Sequence, residues 1–427
     1  MADKECKHIH FTGIGGAGMA PLAHLVLAAG GEVSGSDLEF NSKCAALAAA
    51  GAMVFTGHRK ENLPETPVDA LVYTSAAKQE NPELAAARER NIPCFRRGGF
   101  LAYFVRDYRR VAAVSGSHGK SSITAFLSKL LLDCQLEPGF MIGAEAGGMP
   151  SWACGENKDI FVTEADESDG THTELHPYLG IIPNVEDDHA WSVGGKEQLE
   201  NNFRTFAANC RKLLYVASET TDRLFADHPD AVRLSDIPEN FAGLYGFQAV
   251  NAYIAYRSAL ILGADEAMAK RFAAEPPQVK RRMNIHFSGE NVTVIEDYAH
   301  HPTEVRHAVE FLRKSYPEHH LRILFQPHRY ARLERYFTEF AAELSKADSL
   351  FVTPVFAAWS ESGSVDARQL AARANGREVS GDWQACAAEV FTGVPEKCVI
   401  AVLGAGDVNC TLPYLTALAA EAERSTK

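Results

Sequence analysis

The chain has 427 residues, of which 46% are hydrophobic and 23% charged, with a formal net charge of -13. Such a composition fits a soluble globular protein too long for a single core, so two to three domains are expected. The acidic balance excludes a nucleic-acid partner and an anionic membrane surface, but not a nucleotide held by local loops.

Nine cysteines are scattered with no C-x-x-C pair. An odd, dispersed set predicts neither a disulfide framework nor a zinc site, and a reducing compartment. No apolar run reaches ~18 residues and the N-terminal stretch is charged, so a cytoplasmic chain without a membrane span is expected.

In chain order, HIHFTG (8–13) reads as a strand, followed by the glycine run Gly13-Ile14-Gly15-Gly16-Ala17-Gly18 and an Ala/Leu helix from Met19. A second strand ends at Ser36-Asp37. This is a βαβ unit whose first turn suits a diphosphate at a helix N-terminus, with a carboxylate placed about 20 residues on. The glycines are more crowded than in G-x-G-x-x-G, so the turn by itself says no more than that. Further strands end at Ser75 and near Phe95, and the first domain closes near Asp107.

The stretch VAAVSGSHGKSSITA (111–125) is a strand, a glycine-bounded turn and a helix. Gly116-Ser117-His118-Gly119 can aim backbone N–H groups at one point, Lys120 adds a cation, and Ser121 a hydroxyl suited to phosphate-bound Mg²⁺. Two residues separate the glycines where the full phosphate-loop pattern has four. The next strand, DIFVT, runs into Glu164-Ala165-Asp166-Glu167-Ser168-Asp169, four carboxylates in six residues. At a strand C-terminus this predicts a cation site. LGIIPNV then runs into Glu186-Asp187-Asp188-His189, where His189 reads as a further ligand or as a surface histidine. A helix over Lys196–Asn209 and another from Gln248 follow.

After Pro276-Pro277 the alternating βα pattern resumes, with strands near 292–296, 322–326, 349–353 and 398–403. Polar clusters stand at their ends: Glu296-Asp297-Tyr298-Ala299-His300-His301, Gln326-Pro327-His328-Arg329-Tyr330-Ala331-Arg332, and Gly404-Ala405-Gly406-Asp407. They are expected to face a site.

In this order, GIGGAGM, SGSD, GSHGKSS, EADESD, NVEDDH, DYAHHPTE and FQPHRY resemble the Mur ligases, ATP-dependent amide-forming enzymes of peptidoglycan synthesis. The likeness covers essentially the whole chain. It implies an α/β fold of three domains: a Rossmann-like UDP-sugar domain (1–107), a central P-loop ATPase-like domain with a mostly parallel sheet (108–276), and a Rossmann-like amino-acid domain (277–427).

The resemblance also assigns roles. Gly15, Gly16, Gly18, Ser36, Asp37 and Ser75 are implied to hold the UDP-sugar. ATP falls to Gly116, Ser117, His118, Gly119, Lys120, Ser121, Ser122, Gln248, Asn251, Arg282 and Asp297. Ser121, Glu164 and His189 are implied Mg²⁺ ligands, and His300, His301, Arg329 and Arg332 the amino-acid set. Lys120, Glu164, His189, His300 and Arg329 carry the chemistry.

The wording is nearest the branch that joins L-alanine, or a similar small amino acid, to the carboxylate of UDP-N-acetylmuramate through an acyl phosphate. A tripeptide-recycling branch and a non-catalytic paralogue are the alternatives. The tripeptide branch typically reads E-A-D-E-Y-D and F-E-P-R-S, absent here. The partners implied are small molecules, and the assembly a monomer or homodimer.

Four departures stand out. Serines replace threonines at 117, 121 and 122. Phe247-Gln248-Ala249-Val250-Asn251 replaces H-N-x-x-N, with Phe247 expected against the nucleoside. Arg97-Gly98-Gly99 replaces Arg-Ala-Glu, and Glu296 the first of two aspartates. The chain is also short between Ser218 and Gly246.

Overall fold

The computed structural model describes residues 7–74, 76–168, 170–188, 190–358 and 362–425. The apolar runs expected as strands form the centres of three sheets. In the first, β1 (His8–Thr12), β2 (Glu32–Asp37), β3 (Met53–Thr56), β4 (Ala70–Tyr73) and β5 (Cys94–Arg96) lie in the order β3-β2-β1-β4-β5. All neighbours are parallel. The order reverses between β1 and β4, the point at which doubly wound sheets bind ligands beyond their strand C-termini. The helices are α1 (Met19–Ala28), α2 (Ser42–Ala49), α3 (Pro82–Glu89) and α4 (Arg97–Val105). Asn41 and Asn81 cap α2 and α3 by accepting from backbone amides of the first turn, and Pro82 sits where a free N–H is not needed.

The second sheet has β6 (Arg110–Val114), β7 (Gly139–Met141), β8 (Trp152–Ala153), β9 (Ile160–Glu164), β10 (Leu179–Ile182), β11 (Lys212–Val216) and β12 (Ala231–Leu234). Its order is β12-β11-β10-β6-β9-β7-β8, antiparallel at β7/β8. The phosphate-loop strand β6 therefore lies between β9 and β10. The loops after all three strands emerge side by side, and α5 (Lys120–Asp133) follows β6.

A short hairpin, β13 (Asn240–Phe241) and β14 (Leu244–Tyr245), precedes the helix Gly246–Ile261. The third sheet contains β15 (Asn284–Ser288), β16 (Val292–Asp297), β17 (His320–Phe325), β18 (Ser349–Val352), β19 (Arg377–Glu378) and β20 (Cys398–Leu403) in the order β15-β16-β20-β17-β18-β19. Only β15/β16 is antiparallel. The polar clusters near residues 297, 326 and 404 thus share one C-terminal edge. Apolar clusters cover both faces of this sheet.

Contacts divide the chain into two compact units: residues up to Leu244 with Ala249–Pro277, and Tyr245–Gln248 with Gln278 onward. The first two sheets belong to one unit because they share a core. Ile9 and Phe11 of β1 and Leu22 of α1 lie in the same buried cluster as Phe161, Phe203 and Phe206. Tyr108 and Phe161 meet edge to face at 4.8 Å.

The first turn of α4 presses on the 171–174 turn of the second sheet. A Cβ on Gly98 would stand 2.2 Å from Thr171 Oγ1 and 2.3 Å from its Cβ. One on Gly99 would stand 2.3 Å from Glu174 Oε2. Gly98-Gly99, in place of Ala-Glu, is what this approach requires. Overpacking costs ~1–3 kcal/mol, and helix propensity returns ~1 kcal/mol for Ala over Gly. G98A should therefore lower stability by up to about 2 kcal/mol in denaturant titration.

Candidate active site

The glycine-bounded loop expected to hold phosphate is built as its sequence demands. Gly119 has φ +85° at the N-cap of α5, a conformation open to glycine, and Asn251 Oδ1 would lie 3.2 Å from a Cβ there. The loop is braced by the segment after β10. His118 N donates to Asn184 Oδ1 at 2.8 Å, and Asn184 Nδ2 donates to the His118 carbonyl at 3.1 Å. Ser117 Oγ donates to the Glu186 carbonyl at 3.0 Å and accepts from the Glu186 amide at 2.8 Å.

Lys120 Nζ donates to the Gly116 carbonyl at 2.7 Å and contacts both Glu167 oxygens at 2.9 and 3.0 Å. Ser121 Oγ donates to Glu164 Oε2 at 3.1 Å, and the Gly143 amide to Glu164 Oε1 at 2.7 Å. Burial drives the charges of this cluster. It pushes the Glu167 carboxyl up to about 7 against the pull of Lys120, and raises that of Glu164. At Asp166 burial is outweighed by Lys120 and Arg97, which hold the carboxyl at about 2. Lys120 is held above the usual lysine range because Glu167, Asp166 and Glu164 outweigh its desolvation.

At the glycine-rich turn, Gly13 and Ile14 amides donate to the Ser36 carbonyl, and Gly15 N donates to Asp37 Oδ2 at 2.8 Å. Gly16 N bonds the Gly13 carbonyl, and Gly18 is the N-cap of α1 without a side-chain cap. Arg97 crowds Gly18, where a Cβ would lie 3.0 Å from Arg97 Cδ, and reaches Asp166 at 3.4 Å. Ser36 is buried, with its hydroxyl 2.8 Å from Glu83 Oε2 and from His58 Nδ1. Beside this turn, Ala17, Lys43, Gly143, Glu145 and Trp152 help line a cleft of about 290 Å³.

In the second unit Asp297 is buried at the end of β16 and accepts from the amides of Met283 and Ala299. Burial pushes its carboxyl up to about 6. Arg282 pairs with Glu304 at 3.4 Å, and Glu304 Oε2 also lies 3.1 Å from His300 Nδ1. His301 accepts from Thr303 N as a helix cap and packs on Tyr336. Arg332 Nη1 is 3.1 Å from His328 Nδ1, whose ring stacks on Phe356. Arg329 has φ +69°, unusual for a side-chain-bearing residue.

The family model described as "Mur ligase family, catalytic domain" matches residues 8–109, and that described as "Mur ligase, glutamate ligase domain" matches 281–406. The UDP-N-acetylmuramate--L-alanine ligase of Aquifex aeolicus is 32% identical, covering 96% of this chain and 97% of that protein. That of Saccharopolyspora erythraea is 33% identical, covering 98% and 94%. The chain belongs to the Mur ligase family.

Solved structures agree with this Mur ligase in fold. The UDP-N-acetylmuramate-alanine ligase of Thermotoga maritima superposes with a TM-score of 0.79 at 24% identity, covering 98% of this chain and 100% of that one. A murein peptide ligase of Psychrobacter arcticus gives 0.67 at 20% identity, covering 96% and 98%. The expected three-part α/β architecture is thereby established.

Of the residues assigned from sequence, Lys120, Ser121 and Glu164 are brought together, as are His300, Arg282 and Asp297 around Glu304 and Tyr298. Ser122 follows on the first turn of α5. Gln248 falls with the second unit and Asn251 with the first. Phe247 packs on Phe311, ring centroids 5.5 Å apart, in the third-sheet core, a protein contact that the nucleoside expectation did not include. Ser75 and His189 lie outside the described residues. Among the described residues no helix is long and apolar enough to cross a membrane.

Sequence reasoning missed Asn184 and Glu83, and it named Glu167 and Arg97 without their partners. Glu167 was expected at a cation site and pairs with Lys120, and Arg97 reaches Asp166. Asn184 sat inside the quoted motif NVEDDH, but its partner is not local.

Asn184 holds the loop by two hydrogen bonds, each contributing ~1 kcal/mol net. N184A should weaken nucleoside triphosphate binding about tenfold, measured by calorimetry. A second expectation concerns acid stability. Burial alone would raise the Glu83 carboxyl, but His10, Ser36 and Asn62 outweigh it and hold it at about 2, below its ordinary 4.5. Its stabilising effect is therefore complete above the ordinary value and is lost as pH falls towards 2. Denaturation midpoints between pH 5 and 2 should fall less steeply in E83Q than in the parent.

Proposed function

We propose that this Mur ligase joins L-alanine to the carboxylate of UDP-N-acetylmuramate, converting ATP to ADP and phosphate, in the cytoplasmic stage of peptidoglycan synthesis. The observation that carries the reading is the convergence of Lys120, Ser121 and Glu164 at the ends of β6 and β9. Near-full-length relatives named for L-alanine ligation support the choice of amino acid.

The chemistry follows from charge. The substrate carboxylate attacks the γ-phosphorus while the bond to ADP breaks, and two anions must approach. In this reading Lys120 supplies the cation that neutralises the transferring phosphoryl group, and the helix N-terminus it opens adds a partial positive charge. Ser121 and Glu164 form an oxygen donor pair, the chemistry Mg²⁺ prefers, and His189 joins the proposed set from its motif alone. When bound, the cation screens the repulsion between carboxylate and phosphate. The amine of L-alanine then attacks the acyl carbon, loses a proton, and phosphate leaves.

Gly15, Gly16, Gly18, Ser36 and Asp37, with Ser75 from its motif alone, are the proposed UDP-sugar set. Ser117, His118, Ser122, Gln248, Asn251, Arg282 and Asp297 complete the nucleotide set, and His300, His301, Arg329 and Arg332 the amino-acid set. The proposed boundaries are 1–107, 108–276 and 277–427.

The test is phosphate release from Mg-ATP with UDP-N-acetylmuramate across L-alanine, glycine, L-serine and a tripeptide. Release dependent on both sugar and L-alanine is expected, and release with the tripeptide alone would overturn the reading. K120A should lower turnover at least ~100-fold, as when one preorganised electrostatic group is removed.

A further inference from the structure

One buried ionised group in the first sheet takes no part in the chemistry above. Glu83, on the first turn of α3, is 0% exposed. Its Oε2 accepts from Thr12 Oγ1 and Ser36 Oγ, each at 2.8 Å, and its Oε1 from Asn62 Nδ2 at 2.8 Å. His10 Nε2 stands 3.4 Å from Oε2 and His58 Nδ1 3.7 Å. A buried charge is often replaceable by apolar packing with no loss of stability, so stability alone is a weak reason for a carboxylate here.

The partners supply a better one, because each of them leads to the glycine-rich turn. Thr12 and Ser36 are paired across β1 and β2, so one carboxylate oxygen bridges two adjacent strand ends. Thr12 runs directly into Gly13, whose φ is +84°. The Ser36 carbonyl takes the amides of Gly13 and Ile14, and the next residue, Asp37, takes the amide of Gly15. Asn62 Nδ2 also donates to the Gly57 carbonyl, and Gly57 N donates to the Asp37 carbonyl. Every side chain that Glu83 holds by a hydrogen bond is therefore one step from a bond that shapes the turn.

We infer that Glu83 is a positioning residue for the nucleotide-sugar subsite: it fixes Thr12, Ser36 and Asn62 so that the Gly13–Gly18 backbone is already shaped for a diphosphate. It does so without touching the ligand. The inference rests on the reading that this turn binds the diphosphate of the sugar nucleotide. A carboxylate serves here because it accepts all three hydrogen bonds and donates none. An amide of the same shape would turn an N–H₂ towards at least one of the three donors.

The test compares the full-length parent with E83Q, T12V and the double variant. Calorimetry gives the Kd for UDP-N-acetylmuramate and, separately, for ATP. The expected result is a Kd for the sugar nucleotide raised at least tenfold in E83Q and three- to tenfold in T12V, with the Kd for ATP within twofold of the parent. The double variant should be no weaker than E83Q alone, since both changes break the same contact. An unchanged sugar-nucleotide Kd in T12V, or parallel losses for both ligands, would overturn the inference and leave Glu83 a purely structural group. A parent that binds ATP but not UDP-N-acetylmuramate would instead overturn the underlying reading of the turn. T12V keeps the test open should E83Q fail to fold, because valine fills the threonine's space.

Discussion

Lys120 is held by the Gly116 carbonyl and the Glu167 carboxylate, and this arrangement governs the centre of the first unit. Three carboxyl groups cluster at the end of β9, where they would repel one another: Glu164 and Asp166 are partly buried and Glu167 is buried. Lys120 offsets that repulsion from the neighbouring strand end, and Arg97 from the first sheet. The parallel pairing of β6 with β9 makes the meeting possible, because it sends both loops off the same edge. A cation held among acceptors in this way keeps one rotamer, and on the proposed reading it meets the phosphate without a search.

The parts of the fold that were legible in the sequence are those where burial on both faces leaves a continuous apolar run. RVAAV, IFVTE and CVIAVL are examples, each at a sheet centre. Of the edges, β5 was legible and several others were not. β3 is half-exposed, and β8 and β19 have only two residues, too few to show a period. The same divide runs through the site. Lys120, Ser121 and Glu164 announce themselves because their motif is local and their chemistry is specific. Glu83 and Asn184 do not, since their partners lie 71, 47 and 66 residues away. In sequence, Asn81-Pro82-Glu83 is only a well-formed helix start.

The departures from the family wording have local causes. Glu296, where the family has aspartate, reaches both Arg281 and His286 at 2.9 Å, a span that suits the longer side chain. Phe247 contributes an apolar surface that packs on Phe311. Gly98 and Gly99 give up side chains so that α4 can lie on the 171–174 turn. In each case the replacement changes a packing or charge contact within one unit while the hydroxyls, carboxylates and lysine of the phosphate loop are kept.

The bracing of the phosphate loop by Asn184 has a dynamic consequence. Glycine-bounded loops usually exchange their amide hydrogens with water quickly, because their backbone groups are exposed and fluctuate. Here the His118 amide is tied to a side chain and the residue is 8% exposed. Its hydrogen should exchange as slowly as those of the strand it follows, since release requires the β10 segment to part from the loop. On the proposed reading, the ordering that a phosphate would otherwise impose has already taken place during folding, which leaves the loop little entropy to lose on binding.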